Sequence, residues 1–279
     1  MLSFAVIGNP IEHSLSPPMH RYFLDKTGVD GEYNRILVRN EGELKEIAER
    51  LREGELDGLN ITAPWKTEIK QFANDLTEDA KLVGAVNTIK AKDGFLTGHN
   101  TDKDGFYRSL QEFIGDELLD EVAVIGAGGA ARAVLLAIDE MDISEIAVIN
   151  RTKENAENLI LDLGSGDHIH AMKLEIDTLK AALNDFDLVI NTLPAGGRDI
   201  FQTERFPELS GGDIRFYYDL VYSAKHQDEM ERAERAGFRS LDGMDMLIYQ
   251  GIASMEFWLD RSIESELNMT ELRARMRNQ

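Results

Sequence analysis

The sequence predicts an α/β protein made of two units. Strand-like apolar runs alternate with helix-period segments from the N-terminus onward, and the alternation restarts at Glu121 around a glycine-rich turn. Residues 244–279 are helical in period. A length of 279 residues suits one large or two medium domains, and 43% hydrophobic residues suffice for a sizeable core.

In chain order, strands are expected at Ser3–Ile7, Tyr33–Val38 and Leu56–Ile61, each followed by a helix, at Pro17–Thr27, Glu43–Glu53 and Trp65–Ala73. Val86–Ala91 and Gly94–Gly98 read as a hairpin closed by Asp93-Gly94, and a helix should start near Asp102 and run to about Ile114. The second alternation then gives a strand at Glu121–Ile125, a helix at Gly129–Glu140, a strand at Glu145–Ile149, a helix at Lys153–Leu163, and strands at Leu188–Ile190 and Ile214–Asp219. The final helical stretch carries Met246, Leu247, Ile248, Ile252, Met255, Phe257, Trp258 and Leu259, apolar enough to return to the first domain. Residues 1–101 and 244–279 therefore form the expected first domain, and 102–243 the second.

Composition narrows the chemistry. There is no cysteine, which excludes disulfide scaffolds, zinc ribbons, iron–sulfur clusters and thiol nucleophiles and fits a reducing compartment. Acidic residues outnumber basic ones 51 to 30, for a net charge of −21, so neither nucleic acid nor an anionic membrane is an expected partner. The opening MLSFAVIGNP has no basic start and too short an apolar run for a signal peptide or span. The expectation is a soluble cytoplasmic protein needing no metal.

The segment Gly126-Ala127-Gly128-Gly129-Ala130-Ala131 follows an apolar strand and opens an apolar helix, the setting in which G-x-G-x-x-G/A binds a dinucleotide. Gly126 permits the sharp turn, Gly128 lets backbone N–H groups approach a pyrophosphate, and Ala131 lets helix and strand pack closely. Phosphate at the helix N-terminus meets unpaired N–H groups and a favourable dipole. An ordinary tight βα turn is the plainer reading of the glycines alone, but strand, helix and second strand fall where a Rossmann doubly wound domain needs them, and that is the expectation. Where an NAD-binding domain usually places an acid after its second strand, this chain has Asn150-Arg151-Thr152-Lys153. A planar cation, a hydroxyl and an ammonium suit an adenosine 2′-phosphate, so NADP is the expected cofactor. Thr152 also reads as a helix N-cap.

Four short polar clusters in the first half supply candidate substrate groups. Ser14 and Ser16, two apart in an extended segment, can face one carboxylate, although Ser16 before Pro17 also reads as a helix N-cap. His13 has no evident partner. Asn60, Thr62 and Lys66 gather at the carboxyl end of a strand, where α/β sheets bind ligands. A lysine kept from bulk water can exchange the proton that accompanies hydride transfer between an alcohol and a ketone. Asn87 and Thr88 enter the hairpin, and Asn100-Thr101-Asp102 leaves it. Asp102 could pair with Lys66 or orient a substrate hydroxyl, while Asp102 or Thr101 read alone is a helix cap.

Taken in series, Ser14-Leu15-Ser16, Asn60-x-Thr62-x-Pro64-x-Lys66, Gly84-Ala85-Val86-Asn87-Thr88, Asn100-Thr101-Asp102, Gly126–Ala130, Asn150-Arg151-Thr152, Asp219-Leu220-Val221-Tyr222 and Met246-Leu247-Ile248-Tyr249-Gln250 resemble the shikimate dehydrogenase family over nearly the whole chain. The resemblance implies an N-terminal mixed α/β substrate domain, a Rossmann NADP-binding domain, and NADPH-dependent reduction of 3-dehydroshikimate to shikimate in aromatic amino-acid biosynthesis. It implies Lys66 as general acid/base with Asp102 as partner. Ser14, Ser16 and Tyr222 would hold the substrate carboxylate, and Asn60, Thr62, Asn87 and Gln250 the ring hydroxyls. Gly126, Ala127, Gly128, Gly129 and Ala130 would hold the pyrophosphate, Asn150, Arg151, Thr152 and Lys153 the 2′-phosphate end, and the backbone near Leu220 and Gly243 the nicotinamide. A homodimer is compatible with the family.

Three departures bear on preference. Asn155 stands where the family often has a second cation, Ser223-Ala224 replaces the usual Asn-Pro, and Gly197 replaces a common Met. A paralogue using quinate or an aminoshikimate with NAD or NADP is the nearest alternative, against which Ser16 and Arg151 argue. A non-catalytic NADP-binding regulator would have no need of Lys66 and Asp102 together.

Overall fold

The structure is a computed structural model describing residues 1–194, 206–209, 214–222 and 227–279. The loop positions Gly196, Gly197, Ser223 and Ala224 lie outside the described residues.

In chain order the first elements are β1 (Leu2–Gly8), α1 (Ser16–Thr27), β2 (Gly31–Leu37), α2 (Glu41–Arg52), β3 (Gly58–Ile61), a 3-10 turn over Glu68–Phe72, β4 (Asp75–Leu76), α3 (Glu78–Val83), β5 (Thr88–Lys92), β6 (Phe95–His99) and α4 (Asp102–Ile114). Helix α2 starts where the Asn40 side chain accepts the Glu43 N–H, and α3 where the Thr77 hydroxyl accepts that of Ala80. The hairpin of β5 and β6 turns through Asp93 at φ 52° and Gly94 at φ 78°, the left-handed pair a two-residue turn needs.

The expected helix over Trp65–Ala73 is replaced by a turn and the short 3-10 segment. The Lys66 carbonyl accepts the N–H of Val86, a strand-side partner, and so is withdrawn from the helical ladder. Strand β4 and helix α3 were not expected, being too short to give a period.

The second alternation comprises β7 (Glu121–Ile125), α5 (Gly129–Ile138), β8 (Glu145–Asn150), α6 (Lys153–Leu163), β9 (Ile169–Lys173), α7 (Ile176–Asp185), β10 (Leu188–Asn191), β11 (Phe216–Asp219), α8 (Gln227–Arg235) and β12 (Arg239–Asp242). Helices α9 (Met244–Leu259) and α10 (Met269–Arg277) end the chain. Strands β9 and β12 and helices α7 and α8 also went unread in the sequence. Their burial is partial: β9 keeps only Ile169 fully buried, so its apolar signal is thin.

Two compact units result: Met1–Gly105 with Leu247–Gln279, and Phe106–Met246. Both divisions fall inside helices, slightly beyond the expected positions 101 and 243. The reason is local: the first turn of α4 is fixed by first-unit contacts of Asp102 and Gly105, described below.

The first unit has a mixed six-stranded sheet in the order β2-β1-β3-β5-β6-β4. One face buries Ala5, Ile7, Leu59, Ile61 and Ile89 against Leu44, Ile47 and Leu51 of α2. On the other, Phe4 stacks on Trp258 of α9 at 4.5 Å, and the Trp258 indole N–H donates to the Ile89 carbonyl at 2.8 Å. Gly58 makes room, since a Cβ there would lie 2.5 Å from the indole nitrogen.

The second unit has a parallel six-stranded sheet in the order β12-β11-β10-β7-β8-β9. Counted within the unit this is 3-2-1-4-5-6 read from β9, the doubly wound dinucleotide-binding order. Along β7, Val122 and Val124 enter one core while Ala123 and Ile125 enter the other, so both faces are covered. Among the described residues no helix is long and apolar enough to cross a membrane, and no cluster of three His, Asp or Glu could hold a metal.

Candidate active site

Strand ends of the first unit bring the expected groups together. Lys66 sits in the turn after β3, and its Nζ lies 2.6 Å from Asp102 Oδ2 at the start of α4. The lysine side chain is 34% exposed and the aspartate 16%, so the ammonium is open to a ligand while the carboxylate is largely covered. Asp102 Oδ1 accepts from Asn87 Nδ2 at 2.8 Å, and each carboxylate oxygen therefore has a donor.

The local capping explains why Asp102 is available. Asn100 Oδ1 accepts the Asp102 N–H at 2.9 Å, and Asn100 Nδ2 donates to the Ala85 carbonyl. The Thr101 hydroxyl turns inward instead. Both hydrogens of the Asn87 amide are engaged, by Thr101 Oγ1 at 3.0 Å and by Asp102, while its oxygen accepts the Thr101 N–H at 2.9 Å and the Thr88 hydroxyl.

Asn60, 6% exposed, is tied into the same network. Its Oδ1 accepts the Tyr33 hydroxyl at 2.7 Å, and its Nδ2 donates toward the Asn87 carbonyl, Thr88 Oγ1 and Ser254 Oγ at 3.0–3.2 Å. Burial raises the Tyr33 phenol well above its ordinary pKa, opposed by a hydrogen bond from Ser16, so it stays a neutral donor. Thr62 and Gln250 are half-buried, and Gln250 Nε2 donates to the Leu247 carbonyl.

Ser16 does not cap α1. Leu15 occupies the cap position without a side-chain bond, and the Ser16 N–H donates to Ser14 Oγ at 3.3 Å. The Ser16 hydroxyl is thereby free to face Tyr33. Arg35 on β2 holds the Ser14 carbonyl with Nη2 at 2.5 Å and Nε at 3.2 Å. Tyr222 belongs to the second unit, just beyond β11, and is 40% exposed.

In the second unit the glycine turn lies where strand order reverses between β7 and β10. Gly126 has φ 112°, its N–H donates to the Ile149 carbonyl, and a Cβ would strike the Thr192 hydroxyl, which itself donates to the Ile125 carbonyl. Nothing lies within 4 Å of where a Cβ would stand on Gly128 or Gly129, and Gly128, at the cap position before α5, supplies no side-chain cap. Open space before free N–H groups fits a pyrophosphate. Ala127 is half-buried in the turn and Ala130 exposed in the first turn of α5.

After β8, Asn150 Nδ2 donates to the Thr152 carbonyl, fixing the bend, and Thr152 precedes α6 without capping it through its side chain. Arg151 is exposed, with no ion pair to the described residues, whereas Lys153 pairs with Glu157 at 3.2 Å. Leu220 and Gly243, both expected at the nicotinamide, touch: a Cβ on Gly243 would collide with the Leu220 carbonyl.

Sequence reading missed Tyr33, Arg35 and Ser254 as parts of this site. Tyr33 and Arg35 alternate along β2, where any polar–apolar strand looks alike. Ser254 stands one helical turn after Gln250, and that i, i+4 spacing is a signal that could have found it.

A doubly wound nucleotide-binding unit and an α/β unit presenting a lysine–aspartate pair among amides and hydroxyls define a pyridine-nucleotide-dependent dehydrogenase. Residues 6–89 match the family model for the shikimate dehydrogenase substrate binding domain, and residues 110–220 that for shikimate / quinate 5-dehydrogenase. The chain is 32% identical over 270 residues to the shikimate dehydrogenase (NADP(+)) of Caldicellulosiruptor saccharolyticus, covering 93% of each, and 34% identical over 258 residues to that of Bacillus mycoides, covering 91% of each. The crystal structure of the Thermus thermophilus enzyme in complex with NADP(H) and shikimate superposes with a TM-score of 0.81 at 28% identity, over 100% of this chain and 99% of that one. The chain belongs to the shikimate dehydrogenase family, NADP-dependent oxidoreductases acting on a CH–OH group.

Proposed function

We propose that this chain reduces 3-dehydroshikimate to shikimate with NADPH, reversibly, in the pathway to the aromatic amino acids, and that Lys66 and Asp102 carry the proton transfer. The observation supporting it is the 2.6 Å contact between Lys66 Nζ and Asp102 Oδ2 in a chain of this family.

Bound NADPH supplies the hydride. Lys66 Nζ donates a proton to the carbonyl oxygen as it becomes the alcohol, and takes one back in the oxidation direction. Asp102 holds the ammonium and is itself held by Asn87. Ser14 offers its hydroxyl to the substrate carboxylate, and Ser16 joins it by exchanging its bond to Tyr33 for one to the substrate, with Tyr222 as a third. Thr62 and Gln250 take ring hydroxyls, and Asn87 joins them by exchanging its bond to Thr101 for one to the substrate. Asn60 keeps Asn87 in place through its carbonyl.

On the cofactor side, the N–H groups of Gly126 to Ala130 meet the pyrophosphate and Arg151 the 2′-phosphate, with Thr152 and Lys153 beside it. Asn150 shapes that bend, and Leu220 with Gly243 borders the nicotinamide. The protein acts as a cytoplasmic enzyme, and a homodimer is compatible with its family.

Initial rates with shikimate and with quinate, each with NADP and NAD, test the reading. Shikimate with NADP should be fastest. Quinate with NAD fastest would overturn it.

A further inference from the structure

The structure assigns Ser254 the part of a positioning residue for the reaction, a role that rests on the proposed use of Lys66 and Asp102. Its side chain is fully buried on α9, and its one hydroxyl meets four other groups of the site. Ser254 Oγ donates to the Gln250 carbonyl at 2.9 Å, accepts from Asn60 Nδ2 at 3.0 Å, and lies 2.8 Å from Thr88 Oγ1 and 3.3 Å from Thr101 Oγ1.

Counting hydrogens shows what this accomplishes. A hydroxyl has one hydrogen and two lone pairs. With the Ser254 hydrogen shared between the Gln250 carbonyl and Thr88 Oγ1, its lone pairs receive Asn60 and Thr101, and the Thr88 hydrogen goes to Asn87 Oδ1 at 2.9 Å. Asn87 Oδ1 then takes the Thr88 hydroxyl and the Thr101 N–H, which fixes the amide so that Nδ2 faces Asp102 Oδ1. Asp102 Oδ2 is thereby aimed at Lys66 Nζ. The chain of orientation runs from Ser254 through the two threonines to Asn87, Asp102 and Lys66.

Removing the Ser254 hydroxyl leaves the Thr88 and Thr101 hydroxyls free to turn and takes away one of the three acceptors around the Asn60 amide. The residues at Asp102 and Lys66 remain, but their mutual geometry loosens, and small misplacements of a proton-transfer group are costly. A substrate held by Ser14, Ser16, Thr62 and Gln250 is still bound.

The test compares Ser254→Ala, Thr88→Val and their combination with Lys66→Ala and with Ile252→Val, a buried α9 control outside the network. Expected are a fall in kcat of about tenfold for Ser254→Ala with KM for shikimate nearly kept, a similar fall for Thr88→Val, and a double variant little worse than either single one. Ser254→Thr, which restores the hydroxyl, should recover kcat. Ile252→Val should keep kcat although it loosens the same helix.

Wild-type kcat in Ser254→Ala, or a loss confined to KM, overturns the proposal. Should Ser254→Ala not fold, Thr88→Val carries the test, and unchanged kcat there overturns it as well. Lys66→Ala separates the two levels: it should lose a hundredfold or more in kcat. If it does while Ser254→Ala retains full kcat, the positioning role fails alone; if Lys66→Ala turns over normally, the proposed chemistry fails.

Discussion

At the scale of single residues, Arg151 and His20 make opposite cases. Arg151 stands exposed beside the bend after β8 with no ion pair to the described residues, and Lys153 already has Glu157. With Asn155 where a second cation often stands, most discrimination for the 2′-phosphate should rest on one guanidinium. Arg151→Ala should therefore raise KM for NADP about tenfold or more and leave KM for NAD nearly unchanged, as initial rates with both cofactors would show. His20 is fully buried, stacked on Tyr33 at 4.2 Å, and neither ring nitrogen has a partner among the described residues. Desolvation lowers its pKa from 6.5 to about 3. Below pH 6.5 the unfolded chain binds a proton that the folded one refuses, so this group destabilises the fold increasingly as pH falls toward about 3. His20→Leu removes that term: relative to wild type, its unfolding free energy should improve by roughly 1.4 kcal/mol per pH unit between about pH 6 and 4. Equilibrium denaturation of both proteins across that range checks the slope, and parallel curves would contradict it.

Among elements, helices α4 and α9 matter most. Asp102 opens the first, Gln250 and Ser254 lie on the second, and they meet at Gly105, where a Cβ would stand 2.6 Å from Gln250 Cβ and 2.7 Å from its backbone nitrogen. Backbone cannot yield as a flexible side chain does. Gly105→Ala should cost about 1–3 kcal/mol of stability and also reduce kcat, because the start of α4 must shift with Asp102 on it. Thermal unfolding and steady-state rates measured together test the pairing, and loss of stability with full kcat would refute it. Elements with strong signals were legible: β7, whose two faces alternate between cores, and the hairpin, whose Asp93-Gly94 turn needs φ above zero. The segment after β3 was not, because Trp65–Ala73 has a helical period. The competing bond to the Lys66 carbonyl comes from the N–H of Val86, in the segment that leads into β5.

For the whole molecule, net charge is −21, yet the ligands are anions. On the proposed reading attraction is delivered locally, by N–H groups at α5, by Arg151 and by Lys66, and bulk charge acts mainly as self-repulsion. Adding salt should screen that repulsion, so Tm should rise from low ionic strength to about 0.5 M sodium chloride, read by a thermal scan; a fall would show that ion pairs dominate instead. The sequence by itself determined the α/β class, the dinucleotide turn at Gly126–Ala131, the absence of an acid after β8 and the candidates Lys66 and Asp102, because these depend on local period, glycine conformation and residue chemistry. Tertiary structure alone decided that Lys66 meets Asp102 and that Asn87 holds the aspartate. It also decided that Tyr33, Thr88, Thr101 and Ser254 form one buried network around Asn60. Those contacts join β2, β3, β5, the start of α4 and α9, and no local pattern encodes which distant hydroxyl will complete an amide's hydrogen bonds.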